Sequence, residues 1–385
     1  MSLSALTTPS SSPFGAQLSS SDLSFLEKAA AFIDAEVEPY SIEWDQKGDF
    51  PESIWKGLGS AGLLGMTVPK EYGGHDISTA AYCEACRMLS AADAALGMNV
   101  AAINALAQGH IITYGTQEQK DKYLHKTVSG EIRLAWALTE PEAGSDARRV
   151  QTTATLNPDR PGWYKANGEK MFITNGGWAQ LFILIARTGE KDLSAFLMEK
   201  DQPGFEMVGR IPTVGVKASW TSHFKLHDAD AWHTPCRFEE AIGLLYRGRL
   251  GIAAMALGIA EKAHGLALEY SKNREQFNRR LCDMQSVQNM LADSEVEIEA
   301  ARLLLAKGAY LMDQGHNVVK ESSIAKLYAS EVANRVTNRA IQIHGGRGMV
   351  PSYRVEKLWR DAKLTEIGEG CSEIQRMVIA KQITR

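Results

Sequence analysis

Cysteine is scarce, with five in 385 residues at Cys83, Cys86, Cys236, Cys282 and Cys371. An odd, thinly spread set excludes a disulfide framework and points to a reducing compartment. Cys83 and Cys86 have C-x-x-C spacing, but no second pair or histidine cluster follows. The pair therefore reads as two small residues on one helical turn, and no metal site is expected. Excess positive charge is also missing. Lys plus Arg is 42 against 46 Asp plus Glu, and the pI is near 6.2, which argues against a nucleic-acid partner. No apolar run approaches the ~20 residues of a membrane span; the longest, over residues 250–260, is interrupted by glycines. Residues 1–21 contain no Arg or Lys, so neither a secretory nor a mitochondrial leader is expected there. That stretch reads as a disordered arm and the protein as cytoplasmic.

What is present is ordinary globular material, 44% hydrophobic and 23% charged, enough for two or three domains. The first third is helical. Ser21 or Asp22 can cap a helix carrying Leu23, Leu26, Ala30, Ile33 and Val37, which stops before Pro39. Pro51 suits the start of a helix with Ile54 and Leu58. Residues 77–96 read as one further helix, and Thr116 with Gln119 has the spacing of a capping box. From residue 133 the texture turns to strands. Asn167-Gly168 reads as a hairpin turn, and residues 181–186, 193–198 and 223–227 as strands. From Phe238 helical spacing returns. Met284, Val287, Leu291, Ile298, Ala301 and Leu305 form one stripe, and residues 324–343 form another helix. The expectation is a mostly α protein with a central antiparallel β-domain: an N-terminal arm and helical domain over 1–132, a β-domain over 133–237 and a C-terminal helical bundle over 238–385.

Five segments carry candidate chemistry. Residues 138–146 (Leu-Thr-Glu-Pro-Glu-Ala-Gly-Ser-Asp) form a loop able to offer hydroxyls and backbone N–H groups to a polar ring or phosphate, or simply a hydrated turn. In residues 168–177, strand alternation places Phe172 and Thr174 on one face, where a planar ligand could stack, or where a strand end merely packs. Residues 272–280 hold four cations near a helix end, suited to the helix dipole or to a pyrophosphate. Residues 342–348 (Gln-Ile-His-Gly-Gly-Arg-Gly) read as a glycine C-cap or as bare backbone for a ligand. In residues 366–373, Glu373 suits a helix N-terminus. Glu369, between Gly368 and Gly370, can be bent into a cleft. Buried there, it would have a raised pKa and could act as a base.

Taken in this order and at these separations, the five segments resemble the acyl-CoA dehydrogenase family, from about Asp22 to the end. The strongest matches are residues 138–146, 170–177, 274–277 with Gln285, 342–348, Arg360-Asp361 and 367–376. The resemblance implies FAD as cofactor and α,β-dehydrogenation of an acyl-CoA thioester to the trans-2-enoyl thioester. Thr139 and the backbone from Trp136 to Leu138 would bind the flavin pyrimidine edge, and Gly144 and Ser145 the FAD phosphates, with Ser145 also meeting the CoA ligand. Phe172 would stack on the flavin, with Ile173 beside it and Thr174 near N5. Arg274, Gln276, Phe277 and Gln285, with Gln342, Gly345 and Gly346, would reach FAD across a subunit boundary, and Cys371 and Glu373 would also contact it. Tyr246, Arg249 and Gly370 would hold the substrate. Glu369 matches the base, and its backbone N–H would bind the thioester oxygen. A homotetramer and an electron-transfer flavoprotein as electron acceptor are implied too.

Some positions depart from the family pattern. Asn278 stands where Gly is usual, Cys371 where Thr is usual, and the segments 220–221 and 232–236 are atypical. Position 248, an alternative site for the base in some members, is Gly here, so Glu369 is expected to act alone. Residues 95–108 resemble the helix lining the acyl pocket and contain no cation, so a neutral short or medium acyl chain is expected. Three readings stand beside this one: an acyl group on a carrier protein, an oxidase that passes electrons to O₂, and a non-catalytic flavin-binding scaffold.

Overall fold

The computed structural model describes residues 17–190 and 192–384; residues 1–16 of the arm expected over residues 1–21 lie outside them, and the end of that stretch, from Ser20, already belongs to the first helix. The N-terminal helices are α1 (Ser20–Glu36), α2 (Ser41–Lys47), α3 (Ser53–Ser60), α4 (Thr79–Ala92) and α5 (Ala94–Ala102). A π-helical turn, Ile103–Gln108, continues α5 into α6 (Gly109–Tyr114), and α7 (Gln117–Val128) follows. Strands β1 (Leu134–Ala137), β2 (Thr153–Leu156), β3 (Trp163–Ile173), β4 (Leu181–Arg187), β5 (Leu193–Glu199), β6 (Phe205–Arg210) and β7 (Ser222–Arg237) make the middle domain. The C-terminal helices are α8 (Phe238–Gly243), α9 (Leu245–Asn273), α10 (Gln285–Asp313), α11 (Val319–His344), α12 (Val355–Thr365) and α13 (Ser372–Ile383). A short hairpin, β8 (Glu275–Gln276) with β9 (Arg279–Arg280), links α9 to α10.

The mostly α plan with a central sheet is therefore present, with four local corrections. The cap of α1 is Ser19, not Ser21 or Asp22; Asp22 is the N3 partner that completes a capping box. The helix expected over residues 77–96 is two helices, because Asp93 is extended and caps α5 by accepting from Leu96 N. Asn167-Gly168 is not a hairpin turn. It lies inside the 11-residue strand β3 at a register shift against β7, where Gly168 has φ +147°. An Asn-Gly pair supplies left-handed backbone equally well to a bulge. Finally, the sheet is mostly antiparallel, but β1 and β2 pair with β4 in parallel.

The 16-residue strand β7 is the spine of the β-domain, pairing with β3, β5 and β6. The atypical Trp232 lies in it and stacks on Trp163 at 5.3 Å. The other atypical tryptophan, Trp220, packs edge-on against Trp178. In the helical core, α9 lies against α4 and α11, and small residues of these helices such as Ala253, Ala256, Ala329 and Ala333 are buried. The helical stretches Ala94–Tyr114 and Phe238–Asn273 are long and apolar enough to cross a membrane, yet both are mostly packed inside the protein. Buried and half-buried ion pairs tie the two helical domains together. Glu38 takes both Lys262 and Arg354, Asp45 takes Arg360, and Arg87 bridges Glu84 and Glu261.

Candidate active site

The turn between α12 and α13 puts Glu369 at φ +53° and Gly370 at φ +93°. This left-handed pair turns the Glu369 side chain inward, and the residue as a whole is half-buried. The Oε2 atom is buried and has no hydrogen-bond partner. Burial pushes the carboxyl up to about 7, against the pull of Arg249 and Lys326. The turn is clamped at the Gly370 carbonyl, which accepts from Lys326 Nζ of α11 (2.7 Å) and from Gln375 Nε2 of α13 (2.8 Å). Next along the chain, Cys371 caps α13 and its Sγ lies 3.7 Å from Ser145 Oγ. The β-domain loop thus meets the Glu369 turn.

Helix α9 forms the opposite wall. A Cβ on Gly248 would overlap Glu369 Oε2 and lie 3.0 Å from Leu106 on the π turn. Gly248 thus gives the carboxylate its space, and one added methyl would displace it. One turn on, a Cβ on Gly251 would overlap the Tyr82 hydroxyl, which donates to the Ala101 carbonyl at 3.3 Å. Arg249 is buried, its Nη1 donating to Ser323 Oγ at 3.1 Å while Nε has no partner. Its guanidinium lies 5.6 Å from the Tyr246 ring centroid.

The loop after β1 is held by a buried ion pair. Lys170 Nζ donates to Glu140 Oε1 at 2.8 Å and to the Leu138 carbonyl at 3.0 Å. Glu140 also accepts from the backbone of Gln151 and Thr152. The Thr139 carbonyl accepts from Met171 N, which fixes Thr139 beside the end of β3. Trp136 Nε1 is buried without a partner. Strand alternation does not set the relation of Phe172 to Thr174, because Phe172 is left-handed (φ +58°) and Thr174 lies beyond the strand. The outcome is still a presented ring, 56% exposed. Ile173 is buried in the β-domain core.

A second group lies apart from Glu369. A cavity of about 450 Å³ is lined by Arg274, Gln276, Gly345, Gly346 and Arg347, with Tyr270 and His344 stacked at 4.3 Å in its wall. The segment read as cations at a helix end is a hairpin whose two turn residues, Phe277 and Asn278, are both left-handed. Asn tolerates that backbone better than most residues, so Asn278 preserves a turn where Gly is usual. Gly345 is the C-cap of α11 at φ +59°, and a Cβ there would meet nothing within 4 Å, so cap and bare backbone coincide. Phe277, 88% exposed, Gln285 and Gln342 all face solvent and do not line this cavity. Glu373 is exposed at the start of α13, its carboxyl held low by its own backbone N–H. Cys83 and Cys86 are free and buried on α4, and no metal-ligand cluster occurs among the described residues.

Sequence reasoning missed Lys326, Gln375, Ser323, Tyr82 and Gly251 as individual residues, while Leu106 falls in the 95–108 stretch expected to line the acyl pocket. For Lys326 a signal existed. Ser322, Ala329 and Ala333 define a buried helical stripe, and a lysine sits on it.

Comparison with known proteins places this arrangement. Acyl-CoA dehydrogenase family models match in three parts: the N-terminal domain at residues 19–131, the middle domain at 135–229 and the C-terminal domain at 238–384. The chain is 40% identical to the short-chain specific acyl-CoA dehydrogenase of Clostridium acetobutylicum, over 92% of this chain and 95% of that one. It superposes on butyryl-CoA dehydrogenase from Megasphaera elsdenii with TM-score 0.92 and 37% identity, covering 96% of this chain and 99% of that one. A structure described as an electron transferring flavoprotein of Acidaminococcus fermentans, in work on flavin-based electron bifurcation, also matches. Its TM-score is 0.92 at 36% identity, over 96% of this chain and 99% of that chain.

Proposed function

This chain belongs to the acyl-CoA dehydrogenase family, and from that premise we propose that Glu369 takes the α-proton of a neutral, short- to medium-chain acyl-CoA. The protein is an FAD-dependent oxidoreductase that carries out α,β-dehydrogenation of an acyl-CoA. When bound, FAD supplies the acceptor that takes the β-hydrogen as hydride at N5. The residues present fit that group. Trp136 Nε1 is buried without a partner, Phe172 presents an open ring, and open space faces the bare backbone at Gly144, Gly345 and Gly346. Trp136, Leu138, Thr139, Gly144, Ser145, Phe172, Ile173 and Thr174 would hold it within one subunit. Arg274, Gln276, Phe277, Gln285, Gln342, Gly345 and Gly346 would reach it from a neighbouring one, with Cys371 and Glu373 completing the contacts.

The observation that carries the reading is the buried, unpartnered Glu369 Oε2 beside a glycine. A base poised near neutrality both accepts and releases a proton at working pH. The Glu369 N–H donates to no carbonyl among the described residues, so it is available to the thioester oxygen, where one such donor is typically worth about 3 kcal/mol. Ser145, Tyr246, Arg249 and Gly370 bind the rest of the thioester. We place the acyl chain along the Gly248–Gly251 face of α9, where Tyr82 blocks it about one turn beyond the base. The relatives named short-chain specific and butyryl-CoA dehydrogenase support the short limit. No cation lies between Ala95 and Gln108, and Arg87 nearby is already paired with Glu84 and Glu261. An exposed stripe at seven-residue spacing on α10 (Val296, Leu303, Tyr310), with the open Arg274–Phe277 hairpin, supports a homotetramer. The flavoprotein match supports an electron-transfer flavoprotein as acceptor.

Anaerobic titration of the purified protein tests the reading. Butyryl- and hexanoyl-CoA should bleach the oxidised flavin, and glutaryl- and succinyl-CoA should do so poorly. Higher efficiency on glutaryl- than on butyryl-CoA would remove the neutral-substrate assignment, and no bleaching by any thioester would remove the function.

A further inference from the structure

Lys326 is fully buried on α11, 43 residues before the base, and nothing in the reaction as described uses it. Its Nζ carries three donors, yet its one acceptor among the described residues is the Gly370 carbonyl at 2.7 Å. A lysine in such a place is normally replaced by an apolar side chain or driven neutral. The hydrogen bond alone does not explain it, because neutral Gln375 makes the same bond to the same carbonyl at 2.8 Å. What Gln375 cannot supply is charge. The titratable groups facing the Glu369 carboxylate are Arg249 on α9, Tyr82 and Cys86 on α4 and Lys326 on α11, with Glu366 and Cys371 on the turn itself near Lys326. Burial keeps Tyr82 and Cys86 neutral, the Cys86 thiol being pushed up to about 12. That leaves two cations, and Arg249 spends Nη1 on Ser323.

We propose that Lys326 is a positioning residue for Glu369: it pins the left-handed Glu369–Gly370 turn through the Gly370 carbonyl and supplies the buried positive charge that keeps Glu369 available as a carboxylate. Burial lowers the amine to about 8, with Glu369 and Cys371 opposing the fall and Arg249 adding to it. Carboxylate and ammonium therefore sustain each other around neutral pH. The proposal rests on the reading of Glu369 as the base.

Three variants of the FAD-loaded enzyme separate the two contributions. Lys326→Gln keeps a donor and loses the charge, Lys326→Met loses both, and Lys326→Arg keeps the charge. An infrared difference titration, with Glu369→Gln to assign the band, reads the Glu369 carboxyl directly. Stopped-flow flavin reduction by butyryl-CoA reads its use. In the Gln and Met variants the carboxyl midpoint should rise by about one pH unit, because removing a nearby cation favours the protonated form. Flavin reduction at pH 7 should fall by about fivefold, as the carboxylate fraction drops from about one half to about one tenth, and in Lys326→Gln it should recover at alkaline pH. Lys326→Arg should leave the midpoint in place. A midpoint unmoved in Lys326→Gln overturns the proposal even if the rate falls, since only a structural role then remains. Should Lys326→Met not fold, the Gln and Arg pair still decides. The infrared midpoint judges Lys326, whereas failure of the wild type to bleach judges the role of Glu369, so the two failures are distinct.

Discussion

Two buried carboxylates, 229 residues apart, show opposite uses of the same chemistry. Glu140 is surrounded by donors: the Lys170 ammonium and two backbone N–H groups. Burial raises its pKa, but Lys170 and these hydrogen bonds outweigh that and hold it below the usual carboxylate range. Glu369 has no partner at Oε2, and burial lifts it to about 7. The comparison teaches that burial alone does not make a base. What distinguishes the two is whether the protein completes the hydrogen bonding of the ionised form. A satisfied carboxylate organises a loop, and an unsatisfied one is poised to take a proton.

Exchanging each carboxylate for its amide breaks the comparison most sharply. Glu369→Gln keeps the shape and removes the basicity, so single-turnover flavin reduction should fall by about 10²–10⁴-fold, with FAD content and acyl-CoA binding retained. Near-normal reduction would mean another group takes the proton. Glu140→Gln should act on stability instead. It leaves the Lys170 ammonium buried without its counter-charge, and chemical denaturation should show a loss of about 3–5 kcal/mol. A well-folded, fully stable Glu140→Gln enzyme would show that the pair is dispensable.

The pH dependence of unfolding sharpens the contrast, because the two groups carry opposite signs. The folded-state pKa of Glu369 is raised from 4.5 to about 7. Its contribution is fully present below the unfolded value and is lost as pH rises through 7, by about 3 kcal/mol. The Glu140 contribution is present above 4.5 and is lost as pH falls through its lowered folded value. The stability of the wild type relative to Glu369→Gln should therefore decline between about pH 4.5 and 7. Relative to Glu140→Gln it should decline only as the solution is made more acid than about pH 4.5. Melting curves of the three proteins across this range check both signs, and parallel curves would contradict them.

The smallest expected effect concerns the far wall of the site. Tyr82→Ala opens the space over Gly251 and should raise the octanoyl- to butyryl-CoA efficiency ratio by about tenfold, the scale at which pocket size discriminates methylenes. An unchanged ratio would place the acyl chain elsewhere.

Much of this was legible in the order of residues. The Thr116–Gln119 capping box, the change of texture near residue 133 and the helices after Phe238 all stand. They stand because periodicity and capping are local. Glu369 was legible for a related reason: flanking glycines announce a backbone that can bend. The misreadings arose where a local signal fits two structures. Asp93 is a polar residue within a small-residue run, and only packing shows that it caps a new helix. Asn167-Gly168 offers left-handed backbone without saying whether a turn or a bulge will use it. Tyr82 and Gly251 were invisible for a deeper reason, and the buried stripe that marks Lys326 does not tell its use, since their meaning comes from α4, α9 and α11 meeting the turn after α12.

The left-handed backbone of Glu369 has a consequence for how long the protein lasts. A non-glycine residue in that region is strained by about 1–2 kcal/mol, and the carboxylate above it lacks a partner. Both penalties disappear in Glu369→Gly, and at alkaline pH, above the Lys326 value of about 8, where that amine is neutral and needs no counter-charge, this variant should melt later than the wild type while being catalytically idle. Selection for heat resistance alone would thus drift toward a dead enzyme, and the survival of glutamate at this turn records a demand for turnover over durability.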